Sequence, residues 1–226
     1  KDNLNNTYSI EYENSSFYGN LKVVGVRSYK NNSISSYKLY QNGFTQNTID
    51  KDGNSLNSYT YILDALSQLT TPENALVLGL GGGIIPTKLY NKGYDVDVVE
   101  IDPSTLKIAK NFFQFKKRNM NFFFEDARTF SKSCPRKYNL IIIDLFFADG
   151  IPEHLTTVEF YRDLRNCLDK NGVIVSNSVG DFSNSNTLNS VLFTFNAIFK
   201  DVYYFYDKPY IQQSPIKVTN LYILAT

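Results

Sequence analysis

The chain has 226 residues, enough for one large domain with a small extension and for a sizeable core. It is 42% hydrophobic and 20% charged, an ordinary globular composition, and its formal net charge is +1. That balance supplies no field for a polyanion, so nucleic acid is not an expected partner.

The first fifty or so residues alternate as half-buried strands do, in YSIEYE, NLKVVGVRSY and SYKLYQNG, separated by Gly19 and by Asn-Asn and Asn-Gly turn signals. They predict a small antiparallel β extension over residues 1–55. A helix follows in SLNSYTYILDALSQL, with Leu56, Tyr59, Leu63, Leu66 and Leu69 near helical spacing, and ends before Pro72.

From ALVLG onward the pattern alternates between strand and helix. VDVVEI, NFFFED, NLIIIDLF and GVIVSNS read as further strands, and DVYYFY and NLYILAT close the series at seven. Asp102 and Pro103 mark a helix start, and TTVEFYRDLRNCL reads as another helix, which opens with Thr156 and Glu159 in capping-box spacing and stops before Asn171-Gly172. Strands apolar on both faces belong in a parallel sheet covered by helices. The expected fold over residues 56–226 is therefore a seven-stranded, doubly wound α/β Rossmann-like sheet, with no internal repeat and no low-complexity linker.

Cys134 and Cys167 have neither CxxC spacing nor a nearby histidine, so they are expected to be free thiols in a reducing compartment, and no metal site is expected. LIIIDLFFA, the most apolar stretch, is too short to span a bilayer and carries Asp144 at its centre. The chain begins with Lys rather than Met, so a targeting or membrane segment upstream of residue 1 would lie outside this sequence.

The chemistry begins at LGLGGGIIP. Gly79, Gly81 and Gly83 follow the first strand of the sheet, where α/β folds bind ligands outside the carboxyl ends of their strands. Glycine there lets bare backbone approach a ligand. Glu100 ends the second strand, placed to accept the hydroxyls of a ribose, and Asp126-Ala127 ends the third, placed to meet an adenine. A dinucleotide would want a further glycine at Ile84, and none is there. An S-adenosylmethionine-type nucleoside fits the pattern better. Asp144, after three isoleucines at the end of the fourth strand, is the candidate general base: a carboxylate there can take the proton of an amine nucleophile.

This order of motifs resembles the polyamine aminopropyltransferases, the spermidine and spermine synthase family, over nearly the whole chain. LYQNGFTQ is similar to the family's Gly-x-x-Gln segment, which implies Gln46 at the co-substrate. SYTYILDAL falls where the family has Tyr-His-Glu, so Tyr59 matches while Thr60 and Tyr61 do not. The glycine turn, Glu100, Asp126, Ala127 and Asp144 fall at the family's nucleoside-binding and catalytic positions. The resemblance implies transfer of an aminopropyl group from decarboxylated S-adenosylmethionine to a small, putrescine-like amine, with Asp144 as base and Tyr59 holding the amine. It also implies a homodimer or higher homo-oligomer, assembled through the β extension.

The departures from the pattern are specific. Gly82 stands where the family's glycine loop usually carries an Asp for the amine of the co-substrate tail. Phe147 stands where it has a second acid, and Asp149, two residues on, is the candidate substitute. GIPEHLTTVEFY is similar to a divergent spermidine-synthase-like branch, some members of which follow a membrane domain. The expected location is cytoplasmic, either free or as the cytosolic part of a membrane-attached protein. His154, the only histidine, reads more readily as a loop hydrogen-bonder than as a catalyst, and QFKKRN as the solvated end of a helix. Two alternatives stay open: an S-adenosylmethionine-dependent methyltransferase, and a catalytically silent ligand-binding or assembly domain of the same fold.

Overall fold

The computed structural model describes residues 6–145, 152–181, 185–207 and 218–226. Its N-terminal part is a four-stranded antiparallel meander: β1 (Thr7–Ser16), β2 (Gly19–Arg27), β3 (Ile34–Gln41) and β4 (Phe44–Asp50), in that spatial order. Three of these strands are legible from alternation; β4 is an addition. It exists because Asn42 and Gly43 both take positive φ (50° and 87°), as a two-residue hairpin turn requires, and fold FTQNTID back onto β3.

The second sheet has seven strands in the order β10-β11-β9-β8-β5-β6-β7. Here β5 is Asn74–Leu78, β6 Asp95–Val99, β7 Asn121–Phe123, β8 Tyr138–Ile143, β9 Leu168–Asp181, β10 Val202–Tyr206 and β11 Val218–Ala225. Strands β5 to β9 pair in parallel as expected, whereas β11 runs antiparallel to both β9 and β10, so the sheet is mixed rather than wholly parallel. Its helices are α1 (Ser58–Leu66), α2 (Ile84–Asn91), α3 (Pro103–Phe112), α4 (Ala127–Ser131), α5 (Val158–Cys167) and α6 (Ser185–Asn196). Residues such as Leu76, Val77, Ile141 and Ile142 are wholly buried, because helices cover both faces of the central strands.

The two sheets meet at α3. Leu21, Val23, Leu39 and Ile49 from the N-terminal sheet share one apolar cluster with Ile108 and Phe113. The tip of the β1–β2 hairpin is pinned to the start of that helix, where Ser16 Oγ donates to Asp102 Oδ2 at 2.7 Å and Asn14 Nδ2 to Ser104 Oγ at 3.2 Å. Asp102 also caps α3 as its sequence predicts, accepting from Ser104 N.

Three local expectations need correction. Thr157, not Thr156, caps α5 by accepting from Phe160 N; Thr156 Oγ1 instead donates to the Glu153 carbonyl and closes a 3₁₀ turn over Glu153–Leu155. That helix ends at Cys167, one residue before the end of TTVEFYRDLRNCL, because Leu168 already pairs with Tyr138 in the sheet. Leu56 and Leu69 lie outside α1 and are exposed. The cysteines also depart from expectation: Cys134 and Cys167, 33 residues apart, form a disulfide across a Cα separation of 5.7 Å. The fold brings the end of α4 against the end of α5, a proximity that spacing along the chain does not reveal. The case for a reducing compartment, which rested on free thiols, falls with it. Among the described residues no helix is long and apolar enough to cross a membrane.

Candidate active site

The carboxyl ends of β6, β5 and β8 lie side by side, and the residues directly beyond them are Glu100, Gly79 and Asp144. The ladder runs one step past each strand. Asp144 N donates to Leu78 O at 2.9 Å, Gly79 N to Val99 O at 2.8 Å, and Glu100 N to Phe123 O at 3.0 Å. These bonds fix where the carboxylates point. Above them is a cavity of about 370 Å³, roofed by the N-terminal sheet and walled in part by Leu21, Leu39 and Val99.

Gly79 has φ +96°, and a Cβ there would collide with the main-chain oxygen of Asp144. Its bareness lets the turn and the carboxylate-bearing strand touch. Gly79 and Gly81 line the cavity, whereas Gly82 and Gly83 do not. Those two are buried behind the wall, where Cβ atoms would press on Phe113 and Phe115. Their smallness serves the approach of α2 to the segment after α3.

Glu100 braces the turn. Its Oε2 accepts from Leu80 N at 3.0 Å and its Oε1 from Asp102 N at 2.9 Å, while burial pushes its carboxyl above the usual range. Each oxygen keeps a further lone pair for a hydroxyl partner. Asp126 caps α4, its Oδ1 accepting from Arg128 N and Thr129 N. Its Oδ2 faces His154 Nε2 at 3.2 Å, and Arg128 Nη1 holds His154 in turn by donating to its carbonyl at 2.6 Å. The lone histidine thus does bond locally, and it does so on the cavity wall. Ala127 lines the same wall.

Asp144 is a second perturbed carboxylate in this cavity. Burial pushes its carboxyl up to about 6, against the lowering effect of a hydrogen bond from Asn177 Nδ2 to its Oδ1 at 2.9 Å. Tyr59 stands near enough to feel its charge; burial first, and Asp144 second, hold the phenol well above its ordinary value. The Tyr59 hydroxyl donates to the Gln46 carbonyl at 3.3 Å and accepts from Asn47 Nδ2 at 2.5 Å. Asn47 Oδ1 then accepts from Gly82 N at 2.5 Å. One amide thereby joins the glycine turn to the tyrosine.

The structure brings Gln46, Tyr59, Gly79, Gly81, Glu100, Asp126, Ala127 and Asp144 around one cavity. Asp149 lies outside the described residues, as does Phe147. Sequence reasoning missed Asn47 and Asn177. A polar residue inside the apolar run VIVSNSV was the available signal for Asn177. The register supplies the meaning: Ile143 pairs with Ser176, which sets Asn177 beside Asp144.

Comparison with known proteins follows the same outline. The chain is 36% identical over 141 residues to the polyamine aminopropyltransferase of Vibrio vulnificus (strain CMCP6), an alignment covering 59% of this chain and 46% of that protein. It is 35% identical over 159 residues to the N-terminal histidine N-methyltransferase of Emericella nidulans (strain FGSC A4), covering 68% of this chain and 28% of that one. The chain spans about half or less of the length of these curated relatives. The crystal structure of a probable spermidine synthase from Corynebacterium glutamicum ATCC 13032 superposes with a TM-score of 0.79 at 19% identity, covering 96% of this chain and 80% of that one, and so shares the fold. Residues 57–215 match the spermine/spermidine synthase domain, and by that match over most of its length the chain belongs to the spermine/spermidine synthase domain family.

Proposed function

We propose that this chain is a transferase that moves an aminopropyl group from decarboxylated S-adenosylmethionine to a small amine and releases methylthioadenosine. The observation that carries the reading is Asp144: a carboxylate raised to about 6 by burial, on the same cavity wall as Tyr59 and Glu100. A base titrating just below neutrality is ionised at working pH yet still able to take a proton. The cavity suits the donor, with apolar walls for a nucleoside and two half-buried carboxylates, Glu100 and Asp144, for a cationic sulfonium.

In this reading Glu100 accepts the ribose hydroxyls, Asp126 and Ala127 meet the adenine, and Gly79, Gly81 and Gln46 border the sulfur-bearing tail, with Gly82 and Gly83 shaping the turn from behind. Residues 1–55 are the β extension in this reading and residues 56–226 the catalytic domain. The ammonium of the acceptor gives its proton to Asp144, and the freed nitrogen lone pair attacks the methylene carbon next to sulfur. The carbon–sulfur bond breaks and its electron pair stays on sulfur. The new carbon–nitrogen bond leaves a positively charged secondary amine, while the leaving group departs as a neutral thioether. Assembly into a homodimer through the β extension accompanies this reading.

Methyl transfer is the second reading, favoured by the match to a relative named as a histidine N-methyltransferase and by Gly82 in place of an acid for the co-substrate amine. One incubation separates the two. The protein with putrescine and either decarboxylated or intact S-adenosylmethionine is analysed by mass spectrometry. Methylthioadenosine formed from the decarboxylated donor is the expected product. S-adenosylhomocysteine formed from the intact donor, with no methylthioadenosine from the other, selects methyl transfer instead.

A further inference from the structure

We propose that Asn47 is a positioning residue that fixes Tyr59 as a hydrogen-bond acceptor and thereby makes this end of the cavity selective for an ammonium. The inference rests on reading Tyr59 and Asp144 as the amine end of the site. Gly82 N–H can only donate, so the Asn47 atom facing it is the carbonyl oxygen and the Asn47 amide nitrogen must face Tyr59. The phenol proton is turned away, toward the Gln46 carbonyl. With one lone pair taken by Asn47 and its proton by Gln46, the hydroxyl has one capacity left, which is to accept. Ionised Asp144, whose charge Tyr59 senses, also only accepts. A group placed between them must bring donors, and an ammonium brings three with a compensating charge.

The pairing also accounts for Gly82. A Cβ at 82 would lie 2.7 Å from Phe113 Cδ1 and 3.1 Å from Asn47 Oδ1, so a side chain there would collide with the ring and crowd the amide that sets the tyrosine. Glycine at 82 and asparagine at 47 are one arrangement.

The test is a double-mutant cycle of Asn47→Ala and Tyr59→Phe, read by calorimetric binding of putrescine to protein saturated with methylthioadenosine. Each single variant should weaken putrescine about tenfold, the size of a lost hydrogen bond to a charged group. The double variant should be no weaker than either, because both remove the same acceptor. Methylthioadenosine affinity is measured for each variant, and its concentration is set to saturate that variant in the putrescine titrations. Asn47→Leu, which nearly keeps the volume, replaces Asn47→Ala if that variant does not fold. Unchanged putrescine affinity on substitution of Asn47, additive losses, or no putrescine binding to the wild type would each overturn the proposal. Putrescine binding that behaves as expected without aminopropyl product would defeat the proposed function and leave this inference standing.

Discussion

Asn177 Nδ2, within β9, donates to Asp144 Oδ1 at 2.9 Å at the tip of the neighbouring parallel strand β8, and Asn177 itself is wholly buried. Because this bond favours the ionised carboxylate, it opposes the upward push of burial.

Turnover should therefore rise with pH through about 6 as Asp144 loses its proton, then level off. In Asn177→Ala the acid limb should move upward by roughly half to one pH unit, the worth of one hydrogen bond. A pH profile of kcat/KM for both proteins measures this, and an unmoved limb would break the link between the two residues.

Asp144→Asn should reduce turnover by about 10²-fold or more, the usual contribution of a general base. It should also stabilise the fold at neutral pH. The folded carboxyl titrates near 6 rather than at the ordinary 3.8, so the folded state holds an extra proton between those values and stability falls as pH rises through that window. The amide escapes that loss. Thermal melts should give the variant the higher Tm at pH 7–8, with the advantage shrinking toward about pH 4.

The Cys134–Cys167 disulfide closes a 33-residue separation. The chain-entropy relation assigns such a loop about 4 kcal/mol. Urea unfolding of Cys134→Ser/Cys167→Ser should show a loss of that order, and alkylation before and after reductant should find both thiols blocked in the oxidised protein. Equal stability of variant and wild type would count against the bridge.

Gly79→Ala should cost more than about 1 kcal/mol, since it combines positive φ with a collision at the Asp144 main chain. By pushing the turn off that strand it should weaken methylthioadenosine binding as well. Gly43→Ala, also at positive φ but with nothing near its missing Cβ, separates strain from collision: it should destabilise without touching nucleoside affinity.

The alternation of β1 to β3, the apolar runs of β5 and β8, the Asp102 cap and the acids at strand ends were all legible, because each is a local pattern: period two, a buried run, a capping residue before Pro103. The candidate residues Glu100 and Asp144 could be named from sequence for the same reason, whereas Asp126, expected at a strand end, lies three residues beyond β7 and caps α4. A strand end is a local event, and a parallel sheet puts its strand ends on one side.

What the chain alone determined, then, is which residues stand at strand ends and which segments must be buried. Only the tertiary structure decided what those residues touch. Asn177 reaches Asp144 because β9 pairs with β8 in one register, and Asn47 spans Gly82 and Tyr59 because β4 folds back over the glycine turn. The cysteines meet because α4 and α5 end together. Hydrogen bonds and disulfides act over a few ångströms in space, and separation along the sequence carries no information about that distance until the sheet is closed.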